Sequence, residues 1–120
     1  MKSFCVATLS FLSFISAELT HFERGLKFYD QRAEKSIGLK ANPNFIEKAI
    51  DEFLIAIKSP ERELEAGVYL LKCYYYKGKF VSQNDDGKKA IFSEGKVLGE
   101  KLISLYPESV PAHYWYLVNL

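Results

Sequence analysis

The chain has 120 residues, which gives room for one domain with one hydrophobic core. Its residues are 48% hydrophobic and 26% charged, a balance typical of a folded globular domain, and this excludes a disordered chain and a membrane-embedded one. With 16 Lys and Arg residues against 15 Asp and Glu residues, the chain carries no strong net charge that would attract nucleic acid.

The first seventeen residues have the pattern of a secretory signal peptide. Lys2 gives a positive start, an apolar run covers residues 4–15, and the small pair Ser16-Ala17 follows. The run is shorter than the roughly 20 residues of a transmembrane helix, and Cys5 lies at its start, where a lipid-bearing cysteine would not lie. We expect cleavage after Ala17 and a mature domain, residues 18–120, in the periplasm or cell envelope; an uncleaved membrane anchor is the alternative.

The sequence of the mature domain predicts several helices one after another, and the first begins after Thr20. Thr20 and Glu23 have the spacing of a capping box, in which each side chain accepts a hydrogen bond from the other residue's amide. Apolar residues then recur every three or four positions, as on one face of a helix: Phe22, Leu26, Tyr29, Ala33 and Ile37. Gly38 favours the left-handed conformation in which helices end, so we expect the helix to stop there.

Two further helices are indicated by turn residues followed by apolar stripes. Asn42-Pro43 predicts a turn and Asn44 a helix cap. The stripe that follows is the clearest in the chain: Ile46, Ala49, Ile50, Phe53, Leu54 and Ile57. Ser59-Pro60 predicts the start of the third helix, because proline is tolerated in the first turn. Gly78 is its expected end, and its expected buried face is Leu64, Val68, Leu71 and Tyr75.

The fourth and fifth helices follow a polar loop at residues 79–87. The fourth is expected from about Lys88 to Tyr106, where Pro107 stops it. The fifth starts near Ser109 and is apolar on most of its surface up to Leu120. Such a helix must be buried against something, and we expect it to lack a partner within this chain and the chain to be truncated. A fifth helix docked on the earlier four is the alternative.

Residues 45–120 resemble the tetratricopeptide repeat, a hairpin of two helices. The residues that carry the resemblance are a helix with its closing proline (Ala49, Phe53, Ala56, Pro60), a glycine and an aromatic between helices (Gly78-Lys79-Phe80) and an entry into a further repeat (Pro107, then Ala112-His113-Tyr114). The resemblance implies an all-α fold in which antiparallel helix hairpins stack as an α-solenoid.

The chain departs from that family in the length of its repeat. Pro60 and Pro107 are 47 residues apart, whereas the family repeat has about 34 residues. An insertion near residues 81–86 and a lengthened fourth helix would account for the difference. Gly95 and Gly99 stand in that helix where the family places alanine or a larger residue, and they allow close helix contact. HEAT-like hairpins, with a period of about 40 to 47 residues, are the structural alternative.

A stack of helical hairpins implies a binding scaffold, because the rotation between hairpins forms an extended concave surface. We expect that surface to bind a protein or peptide. The candidate contact residues are aromatics that the apolar stripes do not require, with two neighbouring lysines: Tyr74, Tyr76, Tyr114, Tyr116, Lys72 and Lys77. Packing between hairpins is the alternative for each of them.

An exported chain of this kind also resembles the accessory subunit of periplasmic solute-uptake systems. That resemblance implies an alternative function, which is association with a solute-binding protein or carriage of a small apolar ligand. A carrier would need an enclosed cavity, and we expect any such cavity between the glycine-bearing fourth helix and the fifth.

The sequence contains no motif for catalysis, metal binding or a cofactor. His21 and His113 lie far apart without helical-spaced partners, and Cys73 has no adjacent histidine. The glutamates in residues 61–65 are explained by a solvated helix face. Lysines interleaved with tyrosines in residues 72–89 could contact nucleic acid, but a solvated helix end explains them equally well. We therefore expect a non-catalytic protein without a cofactor or a nucleic-acid partner, and with membrane contact only through an uncleaved signal peptide.

Overall fold

The computed structural model describes residues 19–38 and 41–120, so the expected signal peptide lies outside the described residues. The described part is all-helical, as predicted. Its helices are α1 His21–Asp30, α2 Pro43–Ala56, α3 Glu63–Tyr76, α4 Asp85–Leu105 and α5 Val110–Val118, and a π-helical turn, Lys77–Val81, follows α3 directly. No helix in this part of the chain is both long enough and apolar enough to cross a membrane.

The first helix, α1, begins with the predicted capping box. The Thr20 hydroxyl accepts a hydrogen bond from the Glu23 amide at 3.1 Å, and the Glu23 carboxylate accepts one from the Thr20 amide at 3.2 Å. These bonds satisfy amides that have no partner within the helix. The hydrogen bonds from Thr20 also lower the pKa of the Glu23 carboxyl group.

The end of α1 was predicted too late. The helix stops at Asp30, and Arg32 turns back so that its guanidinium donates a hydrogen bond to the Tyr29 carbonyl at 2.9 Å. Lys35 has a φ of 60°, in the left-handed region, which is incompatible with a continuing helix. Ile37 is 84% exposed and is not part of the core.

The second helix, α2, carries the predicted stripe but is capped by a different residue. Asn42 accepts a hydrogen bond from the Asn44 amide at 2.9 Å, with Pro43 in the first turn, so Asn42 and not Asn44 is the cap. Leu54 is 43% exposed and lies at the edge of the stripe. The core residues of the stripe are Ile46, Ala49, Ile50 and Phe53.

The third helix, α3, lies in the middle of the fold and is buried on more than one side. It begins at Glu63 and not at Ser59-Pro60, because the intervening residues form turns. Gly78 does not end the helical path, since the π-turn Lys77–Val81 continues it and buries Gly78 against the ring of Phe92. The buried residues of α3 are Ala66, Gly67, Val68, Leu70, Leu71, Cys73 and Tyr74.

The fourth helix, α4, is the longest of the described helices. The Asn84 side chain accepts a hydrogen bond from the Gly87 amide at 2.7 Å and so caps the helix, which begins a few residues earlier than predicted. Its last residue is Leu105, shortly before Pro107, as predicted. Its 21 residues are consistent with the expected lengthening.

The last helix, α5, has partners within the described chain, so the expectation that it lacks one is wrong. The Ser109 hydroxyl accepts a hydrogen bond from the Ala112 amide at 3.2 Å and caps the helix. Ala112 is fully buried, and the buried Asn119 donates from Nδ2 to the Leu71 carbonyl of α3 at 3.1 Å. The exposed side of α5 is formed by Val110, Tyr114 and Leu117.

Helices that follow one another in the chain pack antiparallel. His21 at the start of α1 pairs with Glu52 near the end of α2, with 2.6 Å between Nδ1 and Oε2. Lys77, just after α3, pairs with Glu47 near the start of α2, also at 2.6 Å. Leu102 near the end of α4 lies directly over a glycine near the start of α3.

Two apolar clusters hold these helices together. The larger one joins α1, α2 and α3, and its buried members are Phe22, Ile46, Ala49, Ile50, Phe53, Ala56, Ala66, Leu70, Cys73 and Tyr74. The smaller one joins α3, α4 and α5, and its buried members are Val68, Leu71, Leu102 and Ala112. Burial of this apolar surface is the main force that stabilises the arrangement.

Candidate functional site

Three alternate helices, α1, α3 and α5, lie side by side. Because neighbouring helices are antiparallel, these three run in the same direction. Tyr69 of α3 contacts Phe22 and Tyr29 of α1, with ring centroids 6.0 and 5.6 Å away. Further along α3, Tyr75 contacts Trp115 of α5 at 6.0 Å. One side of α3 is therefore bordered by α1 and α5.

The surface along this side of α3 is mainly aromatic, and we call it the aromatic face. Its centre is Tyr69, Lys72 and Tyr76, whose spacing of three and four residues places them on one side of the helix. Most of its side chains are half-buried, and Tyr114 is 58% exposed. The face consists of the rings of Tyr29, Tyr69, Tyr75, Tyr76, Phe80, Tyr114 and Trp115 and the cations Arg32, Lys72 and Lys79.

The two lysines of the aromatic face lie over aromatic rings. Nζ of Lys72 is 4.2 Å from the ring centroid of Tyr69 and 5.6 Å from that of Trp115. Nζ of Lys79 is 5.4 Å from the ring centroid of Tyr75 and donates a hydrogen bond to the Tyr75 hydroxyl at 2.9 Å. The negative face of an aromatic ring attracts a cation, so both ammonium groups are held at the surface in defined positions.

Arg32 supplies the third cation, at the border with α1. Its guanidinium carbon is 4.1 Å from the ring centroid of Tyr29 and 5.4 Å from that of Tyr76. The Tyr76 hydroxyl donates a hydrogen bond to the Arg32 carbonyl at 3.3 Å, which ties the turn after α1 to α3. Burial raises the pKa of Tyr29 despite the nearby charge of Arg32, so its phenol is neutral at physiological pH.

Two glutamates close to the aromatic face are paired with other cations, and one of them, Glu65, lines the same pocket as Tyr69 and Lys72. Glu65 accepts hydrogen bonds from Arg62 at 3.1 Å, and Glu47 pairs with Lys77 at 2.6 Å. In the described residues, by contrast, no carboxylate oxygen lies within 4.0 Å of the charged nitrogens of Arg32, Lys72 or Lys79. Among the residues that the structure describes, the three cations of the aromatic face therefore have no ion-pair partner.

Other acidic groups also have structural partners. Partial burial works to raise the pKa of Glu52, but its hydrogen bond with His21 and the charge of Arg24 outweigh that effect and lower it. Glu63 accepts a hydrogen bond from the Tyr106 hydroxyl at 2.7 Å, and this bond raises the pKa of Tyr106. These contacts tie α1 to α2 and α3 to the end of α4.

The predicted contact residues are divided between the surface and the core. Lys72, Tyr76 and Tyr114 lie on the aromatic face. Tyr74 does not, because it is 8% exposed and packs within the larger apolar cluster. Burial raises the pKa of Tyr74 to about 12, with a further contribution from the charge of Glu94. Tyr74 is thus a core residue, as the packing alternative stated.

The remaining two predicted residues also make packing contacts. The ring of Tyr116 lies against Gly99, so close that a Cβ atom at position 99 would be 2.5 Å from Tyr116 Cδ1. Lys77 is held in its ion pair with Glu47. Tyr116 therefore joins α5 to α4, and Lys77 joins α3 to α2.

Seven members of the aromatic face were not among the predicted contact residues: Tyr29, Tyr69, Tyr75, Phe80, Trp115, Arg32 and Lys79. The sequence pattern that could have identified this surface is the spacing of Tyr69, Lys72 and Tyr76, which places them on one side of a helix. Tyr75 had been assigned to the buried stripe of α3, yet it is only half-buried and contacts Trp115. The sequence does not state which sides of α3 are covered by other helices, so these residues could not be separated from the core.

Between α4 and α5, where an enclosed cavity was expected, side chains fill the space at the glycines of α4, and an open pocket of about 430 Å³ lies between α4 and the last two residues, Asn119 and Leu120. A Cβ atom at Gly95 would lie 2.6 Å from Asn119 Cγ, and one at Gly99 would lie 2.9 Å from Tyr116 Cβ. The two helices are therefore in direct contact along the glycines. The structure does not contain the enclosed space at this place that a carrier of small apolar ligands would require.

In residues 19–38 and 41–120, no three His, Cys, Asp or Glu side chains come together as metal ligands. Cys73 is buried, and burial raises the pKa of its thiol far above the usual value. No protein-family model, curated protein or solved structure matches this chain. Function must therefore be inferred from the geometry of the chain itself.

Proposed function

We propose that this protein is an exported, non-catalytic interaction scaffold, which binds a protein or peptide on the aromatic face. The observation that supports this proposal is the partly exposed row of aromatic side chains along α3, bordered by α1 and α5. The scaffold is a tetratricopeptide-like α-solenoid, in which α1–α2 and α3–α4 are successive hairpins and α5 is the first helix of a third.

The packing supports this architecture. In a stack of two-helix hairpins, the first helices of successive hairpins form one layer and run in the same direction. The described helices meet that requirement, since α3 contacts α1 through Tyr69 and α5 through Tyr75. The layer of first helices then forms the binding surface, and its central member is α3.

The chemistry of the aromatic face suits a protein partner. Tyr and Trp side chains bury a large apolar area while their polar atoms stay available for hydrogen bonds, and they are enriched at protein interfaces. Here the ring of Trp115 contacts those of Tyr75 and Tyr114, which joins α5 to α3. A surface that is already ordered loses little conformational entropy when a partner binds.

Site-specific crosslinking tests the proposal. A photo-crosslinking amino acid replaces Tyr114, which is 58% exposed on the aromatic face, and the protein is irradiated in cell-envelope extract of the producing organism. We expect one dominant protein adduct, identified by mass spectrometry, that disappears when excess unlabelled protein is added. Tyr114→Ala should reduce capture of the same partner.

The matched control places the crosslinking residue at Val97, which is 68% exposed on α4. That position should give no adduct with the same partner, because α4 lies outside the layer of first helices. Equal adducts at both positions, or none at Tyr114, would contradict the proposal. Native mass spectrometry of the purified protein that reveals a tightly bound small molecule would favour the carrier function instead.

A further inference from the structure

We infer that the partner presents an acidic peptide segment, whose carboxylates pair with Lys72 and Lys79 of the aromatic face. The inference rests on the proposed function and specifies the chemistry of the partner. It is carried by the juxtaposition of two ammonium groups, each over an aromatic ring, with no carboxylate partner in the described part of the chain.

Charge complementarity is the first reason. Two cations close to the aromatic face are neutralised within the fold, Lys77 by Glu47 and Arg62 by Glu65. In the part of the chain that the structure describes, Lys72 and Lys79 have no such ion pair. Lys72 is half-buried beside rings and has lost part of its hydration, and a carboxylate restores strong hydrogen-bond acceptors to it. Complementary charge also steers the partner to this surface.

The spacing of the two lysines is the second reason. They are seven residues apart along one helical path, which corresponds to about 10 Å at 1.5 Å per residue. An extended polyproline II segment rises about 3.1 Å per residue and repeats every three residues. Two acidic residues three positions apart in such a segment therefore lie on one side of it at nearly the spacing of the lysines.

The rings between the two lysines are the third reason. Trp115 lies beside the ammonium group of Lys72 and Tyr75 beside that of Lys79, and these two rings contact each other, so they form the surface between the lysines. An apolar side chain located between the two acidic residues of the peptide would pack on these rings. The recognised peptide therefore has two acidic residues separated by two other residues, at least one of which is apolar.

The inference is tested with a random twelve-residue peptide library displayed on phage and panned against the purified protein at low salt. We expect enriched peptides to contain two Asp or Glu residues three positions apart, with an apolar residue between them. Synthetic copies of these peptides should change the fluorescence of Trp115, the single tryptophan of the chain, and should bind more weakly as salt increases.

Charge-removing variants locate the site. The pair Lys72→Gln and Lys79→Gln should weaken binding of the enriched peptides by about tenfold, the effect expected for two partly exposed ion pairs. The matched control, Lys88→Gln with Lys89→Gln on α4, removes the same charge away from the aromatic face and should leave binding unchanged. Replacing both acidic residues of a peptide with Gln should mimic the effect of the first pair.

Several outcomes would overturn the inference. Enriched peptides that are neutral or basic, or acidic peptides that bind the Lys72 and Lys79 variant as tightly as the unmodified protein, would do so. If the protein instead binds phosphatidylglycerol vesicles through these lysines and ignores the peptides, the surface recognises lipid. If Tyr114 crosslinks to a protein partner but the enriched peptides are neutral, the acidic peptide is rejected and the scaffold function is kept. If the crosslinking fails as well, both proposals are rejected.

Discussion

Gly95 lies where α5 comes closest to α4, and its missing side chain makes room for Asn119. A Cβ atom there would lie 2.6 Å from Asn119 Cγ, and Asn119 cannot move away because Nδ2 donates to the carbonyls of Leu71 at 3.1 Å and Trp115 at 2.8 Å. Alanine favours helix by about 1 kcal/mol relative to glycine. The steric conflict exceeds that gain, so we predict that Gly95→Ala destabilises the protein by about 1 to 3 kcal/mol.

Urea unfolding, monitored by far-ultraviolet circular dichroism, measures this change as a shift in the urea concentration at the unfolding midpoint. Val97→Ala is the control, because Val97 is on the same helix and 68% exposed, and its effect should stay within about 0.5 kcal/mol. In an Asn119→Ala background the penalty of Gly95→Ala should shrink, since the conflict is removed. A midpoint that is unchanged or raised in Gly95→Ala alone would show that the contact is not close.

The three consecutive tyrosines show why single residues were harder to predict than helices. Tyr74, Tyr75 and Tyr76 point about 100° apart around α3. Tyr74 enters the core, Tyr75 contacts Trp115, and Tyr76 bonds to Arg32. Which of these side chains is buried depends on where the other helices pack against α3, and the sequence alone does not show this. The aromatic content of α3 was thus visible, but its division between core and surface was not.

At the scale of the element, α1, α2, α4 and α5 each begin with a polar side chain as cap, namely Thr20, Asn42, Asn84 and Ser109. Ser109 is the cap of α5, and its hydroxyl accepts a hydrogen bond from the Ala112 amide at 3.2 Å. We predict that Ser109→Ala destabilises the protein by about 1 kcal/mol, because one amide at the helix start loses its partner. The loss falls on α5, so the fluorescence of Trp115 should report fraying of this helix below the main unfolding transition.

Ser93→Ala is the control variant, because Ser93 is exposed in the middle of α4, away from the N-terminal ends of α4 and α5. Its unfolding midpoint and Trp115 signal should match those of the unmodified protein. Equal behaviour of the two variants would mean that Ser109 contributes nothing to the stability of α5.

Helix boundaries followed local chemistry where that chemistry was unambiguous. The capping box of α1 and the proline after α4 were read correctly, because each acts through neighbouring residues only. The end of α1 was not, since it depends on Arg32, whose side chain reaches back to the Tyr29 carbonyl. The π-turn after α3 was also missed, because burial of Gly78 against Phe92 is a contact between helices.

For the whole molecule, the all-helical class followed from the periodicity of apolar residues, which is a property of the complete chain. Contacts between helices determined the rest. The larger apolar cluster centres on α2 and α3, and the smaller one attaches α4 and α5 to the other side of α3. The position of α5 was mispredicted because its attachment relies on glycines of α4 and on a buried Asn119, which are weak signals in a sequence.

This unequal division of the core predicts unequal stability along the molecule. A hairpin stack opens first where the fewest apolar contacts hold it, so α5 should unfold locally more often than α2 and α3. We predict faster native-state hydrogen exchange for the amides of α5 than for those of α2, measured by mass spectrometry. Gly95→Ala should accelerate exchange in α5 and leave α2 unchanged, because the displaced Asn119 packs on α4 and bonds to α3, whereas the core residues of α2 belong to the other apolar cluster. Uniform protection across α2 and α5, with both accelerated together in the variant, would instead show that the helices unfold as a single cooperative unit.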